Sequence, residues 1–324
     1  MRLYTVLLLL PILFGMLSPV GAQDRAQSRW PVVVAPGDSV PVSLIRDPEM
    51  YRQGWDTLAQ VRFWRRVMNL HPDSSLLNVA DTRQVLAVFP TEAYDKLTPS
   101  QKQAFKAKML KKYGLPADTR LYVTYGKQDY YQIRTVLPNL SRGIRRFQEV
   151  GTDPWYAQAI LLIESPGAIR MSHTGAYGPF QLMKYVAQSQ GLIVNSNLDE
   201  RADFDKSAAA AAKFIQSTCL PHARAILDDY GISYRERDLW FRLLVLHIYH
   251  AGAGNVRGVV SLIRPSYGGM ALLQKMWQTR YKNFGNASQN YSQIALASLL
   301  EVDAILWRDY GVQPDANGLI NSGE

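Results

Sequence analysis

Thr152-Asp153-Pro154-Trp155-Tyr156-Ala157-Gln158-Ala159-Ile160-Leu161-Leu162-Ile163-Glu164-Ser165-Pro166 is the stretch around which the chain is read. Thr152 or Asp153 can cap a helix, and Pro154 falls in its first turn, where a missing N–H leaves no bond unmade. Trp155, Ala159, Leu162 and Ile163 recur at helical spacing, which predicts a largely buried helix. Pro166 disfavours helical geometry at the residue before it, so the helix ends on Glu164 and Ser165. There Glu164 meets the negative pole of the helix dipole among groups that hydrate it poorly. Both effects favour the protonated form, which suits a general acid.

Downstream, Gly175, Gly178 and Pro179 mark a loop that can fold back towards Glu164 and bring Gln181 and Met183 to the same cleft. A lone glutamate at a helix end is by itself an ordinary surface residue, so the weight falls on the rest of the chain. Glu164-Ser165, Gly178-Pro179-Phe180-Gln181-Leu182-Met183, Tyr249-His250-Ala251-Gly252-Ala253-Gly254-Asn255-Val256 and Asn290-Tyr291 follow one another in that order. Together they resemble the motif set of the soluble-type lytic transglycosylases, peptidoglycan-cleaving enzymes with a lysozyme-like fold related to goose-type lysozyme. Asp199-Glu200-Arg201-Ala202-Asp203, with Ser207 and an alanine run behind it, is most similar to the branch named membrane-bound lytic murein transglycosylase D. Each motif alone is weak; four in the right order over about half the chain are specific.

The resemblance implies a mainly α protein with a lysozyme-like all-helical catalytic domain over 131–312; the residue pattern puts a small mixed α/β region at 23–130 before it and a frayed tail at 313–324 after it. It implies cleavage of the β-1,4 bond between N-acetylmuramic acid and N-acetylglucosamine without net hydrolysis. Glu164 protonates the leaving oxygen and then takes the proton of the muramoyl 6-hydroxyl, which closes a 1,6-anhydro ring. A single carboxylate is enough because the second nucleophile belongs to the substrate. Around Glu164 the resemblance places Ser165 on the glycan, Gln181 on an amide or hydroxyl, Phe180 and Met183 in an apolar wall, and Tyr249 and Tyr291 as hydroxyl contacts closing the cleft. No cofactor is implied.

Three departures stand out. His250 occupies a position where the family usually has Asn, exchanging a neutral amide for a group that titrates near neutral pH. The loop after Glu164-Ser165 is one residue shorter than is typical and opens with Pro166-Gly167. Pro179-Phe180 replaces the more common Leu-Met or Leu-Trp before the glutamine.

The remaining sequence bounds the setting. The chain has 324 residues, 47% hydrophobic and 19% charged, enough for a substantial core and unlike a disordered or fibrous protein. Arg2 precedes an apolar run at 6–17, and Val20 and Ala22 stand where signal peptidase accepts small residues. Residues 1–22 therefore read as a signal peptide for a periplasmic or secreted protein, with a retained anchor as the rival; no integral membrane segment is expected after cleavage. The formal net charge is +9, to which residues 1–22 contribute only Arg2. Such a charge suits an anionic polymer such as peptidoglycan, whereas Lys and Arg are scattered and no nucleic-acid motif appears. The single cysteine, Cys219, cannot form an intramolecular disulfide and falls in an apolar pattern, so it reads as core. His71, His173, His222, His247 and His250 stand at no metal-ligand spacing, and no metal is expected.

By periodicity, 55–70 is a helix, 75–79, 85–88 and 121–125 are strands, and a Lys-rich helix starts at Thr98-Pro99-Ser100 and stops at Gly114. Val32-Val33-Val34 reads as one strand at the end of a Pro- and Ser-rich linker. A helix runs from the Val136-Leu137-Pro138 segment through Phe147 to Gly151, and further helices cover 185–190, 207–227, 239–250 and 291–308. Asp199 to Asp203 either frame the cleft or are solvated charges at a helix start. Gly252 is placed for a left-handed C-cap and Asn255 for the next N-cap. Three other functions stay open. A lysozyme-type hydrolase of the same fold would be marked by a second carboxylate over the cleft, Asp199 or Asp203. A peptidoglycan-binding scaffold would have lost turnover through His250 and the loop. An adaptor would work through 23–130.

Overall fold

The apolar stretch folds as expected into a helix, Trp155–Glu164, in which every residue from Trp155 to Ile163 is buried. A helix hydrophobic all round belongs in the centre of a core rather than on its surface, and this one packs against two long helices at once. The computed structural model describes residues 33–35, 42–164 and 171–311, all within one compact unit. The expected signal peptide at 1–22, Ser165 and the tail at 313–324 lie outside the described residues.

The described chain is mainly helical with small antiparallel sheets. β1 (Val33–Ala35) pairs with β2 (Val42–Leu44), and α1 (Ala59–Asn69) follows. β3 (Ser74–Val79), β4 (Val85–Pro90) and β5 (Leu121–Tyr125) form a sheet in the order β4-β3-β5, with α2 (Pro99–Lys112) inserted between its last two strands. Then come α3 (Ile133–Val150), α4 (Trp155–Glu164), α5 (Phe204–Phe214), α6 (Leu220–Asp228), α7 (Leu239–Ala251), α8 (Ala253–Ile263), α9 (Met270–Gln278) and α10 (Asn286–Tyr310). α4 lies between α3 and α10, and α10 also packs on α1 and α7.

The boundary expected at 130/131 does not separate two cores. Met50, Trp55, Val61, Trp64 and Val67 share one apolar cluster with Tyr131, Phe147, Trp155 and Leu306, because α1 lies directly on α10. Only the sheet and α2 have a core of their own, built on Leu77, Val79, Leu86, Met109 and Leu121. Polar groups stitch the same seam. The Gln158 side chain on α4 accepts from the Ile45 N–H (2.9 Å) and donates to the Ile45 carbonyl (2.8 Å). Arg242 on α7 holds Asp47 at 3.0 Å and Asp153 at 2.7 Å.

Four local expectations change. The helix predicted at 55–70 is broken at Leu58, whose extended backbone separates a 3-10 turn, Trp55–Thr57, from α1. α3 starts at Ile133, so Pro138 lies inside it; the proline removes only the bond to the Arg134 carbonyl near the helix start. The helix predicted at 207–227 is α5 and α6 joined through a π turn, Ile215–Cys219. Pro221 explains the turn: it has no N–H for the Ser217 carbonyl and its ring crowds that oxygen, so the ladder widens there. Gly252 has positive φ but extended ψ, and Asn255 caps no N–H; its Nδ2 donates back to the Ala251 carbonyl at 2.8 Å.

Candidate active site

α4 places Glu164 at its C-terminal end, where it lines a cavity of about 360 Å³. Gln181, Met183, Tyr185, Phe214, Tyr249 and His250 are among the other lining residues, and Glu164 is the only carboxylate among them. Burial is the larger influence on Glu164 and lifts its pKa from the usual 4.5 to about 7. The Tyr291 hydroxyl opposes this by favouring the charged form. That contact is looser than a formed hydrogen bond, since the fully buried hydroxyl has no partner at standard distance. Tyr249 and Tyr131 also lie within electrostatic reach of Glu164, and burial raises the pKa of all three phenols. The site therefore holds a carboxyl whose pKa is raised towards neutrality beside hydroxyls that stay neutral.

The loop carrying Gln181 is a tight hairpin. Tyr177 and Leu182 exchange backbone hydrogen bonds at 3.1 and 3.0 Å, leaving Gly178-Pro179-Phe180-Gln181 as the turn. Gly178 has φ +85°, and a Cβ there would stand 1.9 Å from the Arg201 carbonyl, so only glycine fits. Gln181 itself has φ +46°, a strained conformation for a residue with a side chain, while its Nε2 donates to the Gly178 carbonyl at 3.0 Å. Strain of this kind, held by surrounding contacts, is common where a side chain must be aimed.

Two expected site residues take other roles. Phe180 does not line the cleft: it is fully buried, stacked on Phe147 (5.6 Å between centroids) and edge-on to Phe204. The turn geometry sends the side chain at 180 into the core and the one at 181 to the cleft. Tyr249 lines the cavity, but its hydroxyl donates to the Phe180 carbonyl at 2.6 Å, so it anchors the Gln181 hairpin. Met183 is among the residues that line the cavity. His250 stacks on Tyr291 with centroids 4.3 Å apart, and its surroundings lower its pKa to about 4. Its expected titration near neutral pH is thus displaced downward. His247 behaves as a core histidine, buried with Nε2 2.8 Å from Ser292 Oγ.

Phe214 and Tyr185 were not expected at the cleft, and Arg201, expected either to frame it or to be a solvated charge, takes a more definite place. Arg201 is buried and clamps the hairpin: it donates to the Gly175 carbonyl (2.8 Å) and the Leu182 carbonyl (2.9 Å) while Asp199 holds its other edge. The sequence signal was its place between acidic neighbours, which reads equally well as solvated charge. Phe214 packs on Tyr249 (5.7 Å) directly before the π turn, and its one signal is Pro221 inside a helical pattern. Tyr185 lines the cleft while 69% exposed, and nothing in its neighbours' pattern marks it. Asp199 and Asp203, the candidates for a second carboxylate, are both engaged: Asp199 with Arg201, Asp203 accepting from the Lys206 N–H at the start of α5.

A second cavity, of about 350 Å³, lies between the end of α1, the start of α3 and α10. Its one carboxylate, Glu301, is ion-paired with Arg65 at 2.7 Å, so the chemistry singles out the Glu164 cleft instead. Among the described residues no three His, Cys, Asp or Glu side chains are grouped to hold a metal ion, and no helix is long and apolar enough to cross a membrane. Comparison with protein-family models, curated proteins and solved structures returns no match.

Proposed function

We propose that the chain is an exported lytic transglycosylase with a lysozyme-like catalytic core, cleaving the N-acetylmuramic acid to N-acetylglucosamine bond of peptidoglycan. The observation that carries this reading is Glu164: a half-buried carboxyl whose desolvation raises its pKa to about 7, alone among the described lining residues in being acidic, at the end of the central apolar helix. Such a group gives a proton to a glycosidic oxygen and takes one from a hydroxyl at the same pH, as the two halves of an intramolecular transfer require. In the first step the C1–O bond breaks and the Glu164 proton goes to the leaving 4-oxygen. In the second, the 6-hydroxyl oxygen bonds to C1 and its proton returns to Glu164. Gln181 is aimed at the glycan by its strained turn, Met183 and Tyr185 flank the sugar, and Tyr291 meets the charged form of Glu164. Ser165 adds a hydrogen bond by resemblance alone.

A lysozyme-type hydrolase is less well supported, because Asp199 and Asp203 are committed to structural contacts. The deciding experiment digests purified peptidoglycan with the mature protein and weighs the released muropeptides. Anhydro ends, one water lighter, are expected, and Glu164→Gln is expected to abolish release while polymer sedimentation persists. Free reducing ends would convert the reading to a hydrolase. Sedimentation without release would make the protein a binding scaffold.

A further inference from the structure

Arg83 occupies a position with three separate penalties. It is 5% exposed, and no carboxylate lies within ion-pair distance of it among the described residues; Asp81 nearby is taken by Arg120. Its backbone is left-handed, φ +59°, in the turn between β3 and β4. Its guanidinium also sits at the N-terminal end of α10, where the helix dipole disfavours a cation. Burying a charge without a counter-ion is expensive, so a residue held this way calls for a reason.

What Arg83 touches supplies one. Nη2 donates to Asn290 Oδ1 at 2.6 Å and to Asn286 Oδ1 at 3.0 Å, and the guanidinium lies 5.5 Å from the ring centroids of both Phe63 and Tyr122. α10 has no side-chain N-cap, so these bonds hold its first turns from outside. Tyr291 is the next residue along the helix, packed on His250 and facing Glu164. We propose that Arg83 is a positioning residue, which fixes the first turns of α10 through Asn286 and Asn290 so that the Tyr291 hydroxyl meets Glu164. This assigns the β3–β4 hairpin a task in the cleft, with the rings of Phe63 on α1 and Tyr122 on β5 as walls that keep the guanidinium in place. The proposal deepens the enzymatic reading, and rests on it only for what Glu164 does.

The test follows the Glu164 carboxyl directly by ¹³C NMR titration of full-length protein labelled at glutamate, with Glu164→Gln assigning the signal. No substrate is involved, so an absent activity and a wrong role for Arg83 give different results. The groups that face Glu164, namely Tyr131, Tyr249 and Tyr291, stay neutral through the titration, so a changed midpoint reports the hydroxyl contact. Tyr291→Phe is expected to raise the proton affinity of Glu164 about threefold, below the roughly tenfold or more of a fully formed hydrogen bond to a charged group because the contact is loose. Arg83→Met is expected to raise it in the same direction, and the double variant no further than Tyr291→Phe alone. Asn290→Ala cuts the same link from the helix side, and serves if Arg83→Met does not fold. A midpoint in Arg83→Met or Asn290→Ala equal to that of the unaltered protein, or one unmoved by Tyr291→Phe, overturns the proposal.

Discussion

Glu164 is a carboxyl whose environment works against its charge, and the protein loses stability for keeping it there. With the folded pKa raised from 4.5 to about 7, the native state holds a proton that the unfolded chain releases between those values. The contribution is therefore fully present below about 4.5 and lost as pH rises through 7, up to about 3 kcal/mol in all. Glu164→Gln carries no such dependence. Urea unfolding should find the variant more stable by about 1–3 kcal/mol at pH 8 and nearly level with the unaltered protein at pH 4.5. Equal stabilities at both values would mean that the carboxyl is solvated. If the enzymatic reading holds, turnover also falls above pH 7 as the acid loses its proton. Tyr185, an exposed ring at the cleft, belongs to the same scale: Tyr185→Ala should raise KM several-fold with a smaller change in kcat, and an unchanged KM would place the glycan elsewhere. The end of α4 at Glu164 was legible in the sequence because helix pattern, Pro166 and position all converge on residue 164. Phe180 was not, since whether a turn residue points inward depends on the φ of its neighbours and on Phe147, 33 positions away.

At the scale of elements, the site depends on a six-residue hairpin held from three directions: Arg201 below, the Tyr249 hydroxyl on the Phe180 carbonyl, and Phe147 behind Phe180. Gly178→Ala forces a Cβ to within 1.9 Å of the Arg201 carbonyl at a φ that alanine avoids. Backbone must move, so thermal unfolding should show a loss of about 2 kcal/mol or more, with the Gln181 side chain displaced from the cleft. A variant as stable as the parent would show that the hairpin is free to shift away from Arg201. The helices were readable because apolar residues recur at helical spacing and Thr98, Asp153 and Gly151 punctuate them; the structure adds a capping box between Thr98 and Gln101. The π turn was not readable, because a proline inside a helical pattern signals a break, whereas the backbone runs on through Ile215–Cys219 into α6. Nor was the start of α10: Asn286 to Asn290 lack a side-chain cap, and the residue that holds them, Arg83, lies on a different element.

Across the whole molecule, the helices around Glu164 are completed by residues that precede residue 130. Periodicity reports which face of α1 is apolar but not that this face meets α10, more than 200 positions along, so a boundary near 130 was a natural expectation from sequence. Arg242 shows the consequence for charge: Arg242→Met leaves Asp47 buried and Asp153 half-buried without their cation, which should lower stability by about 3–5 kcal/mol at pH 7 and by less in acid, where Asp47, its pKa raised by burial, takes up a proton. A urea midpoint that shifts equally at both pH values would point to lost packing instead. The sharper prediction concerns a chain that begins at Tyr131. It keeps every candidate site residue, yet it loses Met50, Trp55, Val61, Trp64, Val67 and Met68 from the shared core. At about 1.5–3 kcal/mol for each buried side chain, the deficit is on the order of 10 kcal/mol, comparable with the whole net stability of a domain, about 5–15 kcal/mol. It also leaves the Gln158 amide without the Ile45 backbone, and Gln293 without the Trp64 indole that donates to it at 3.2 Å. Calorimetry should therefore find no cooperative transition in the shortened chain. A single sharp transition, with Glu164 still titrating near 7, would instead make 131–311 a self-sufficient domain and confine the N-terminal contribution to the grip of Arg83 on α10.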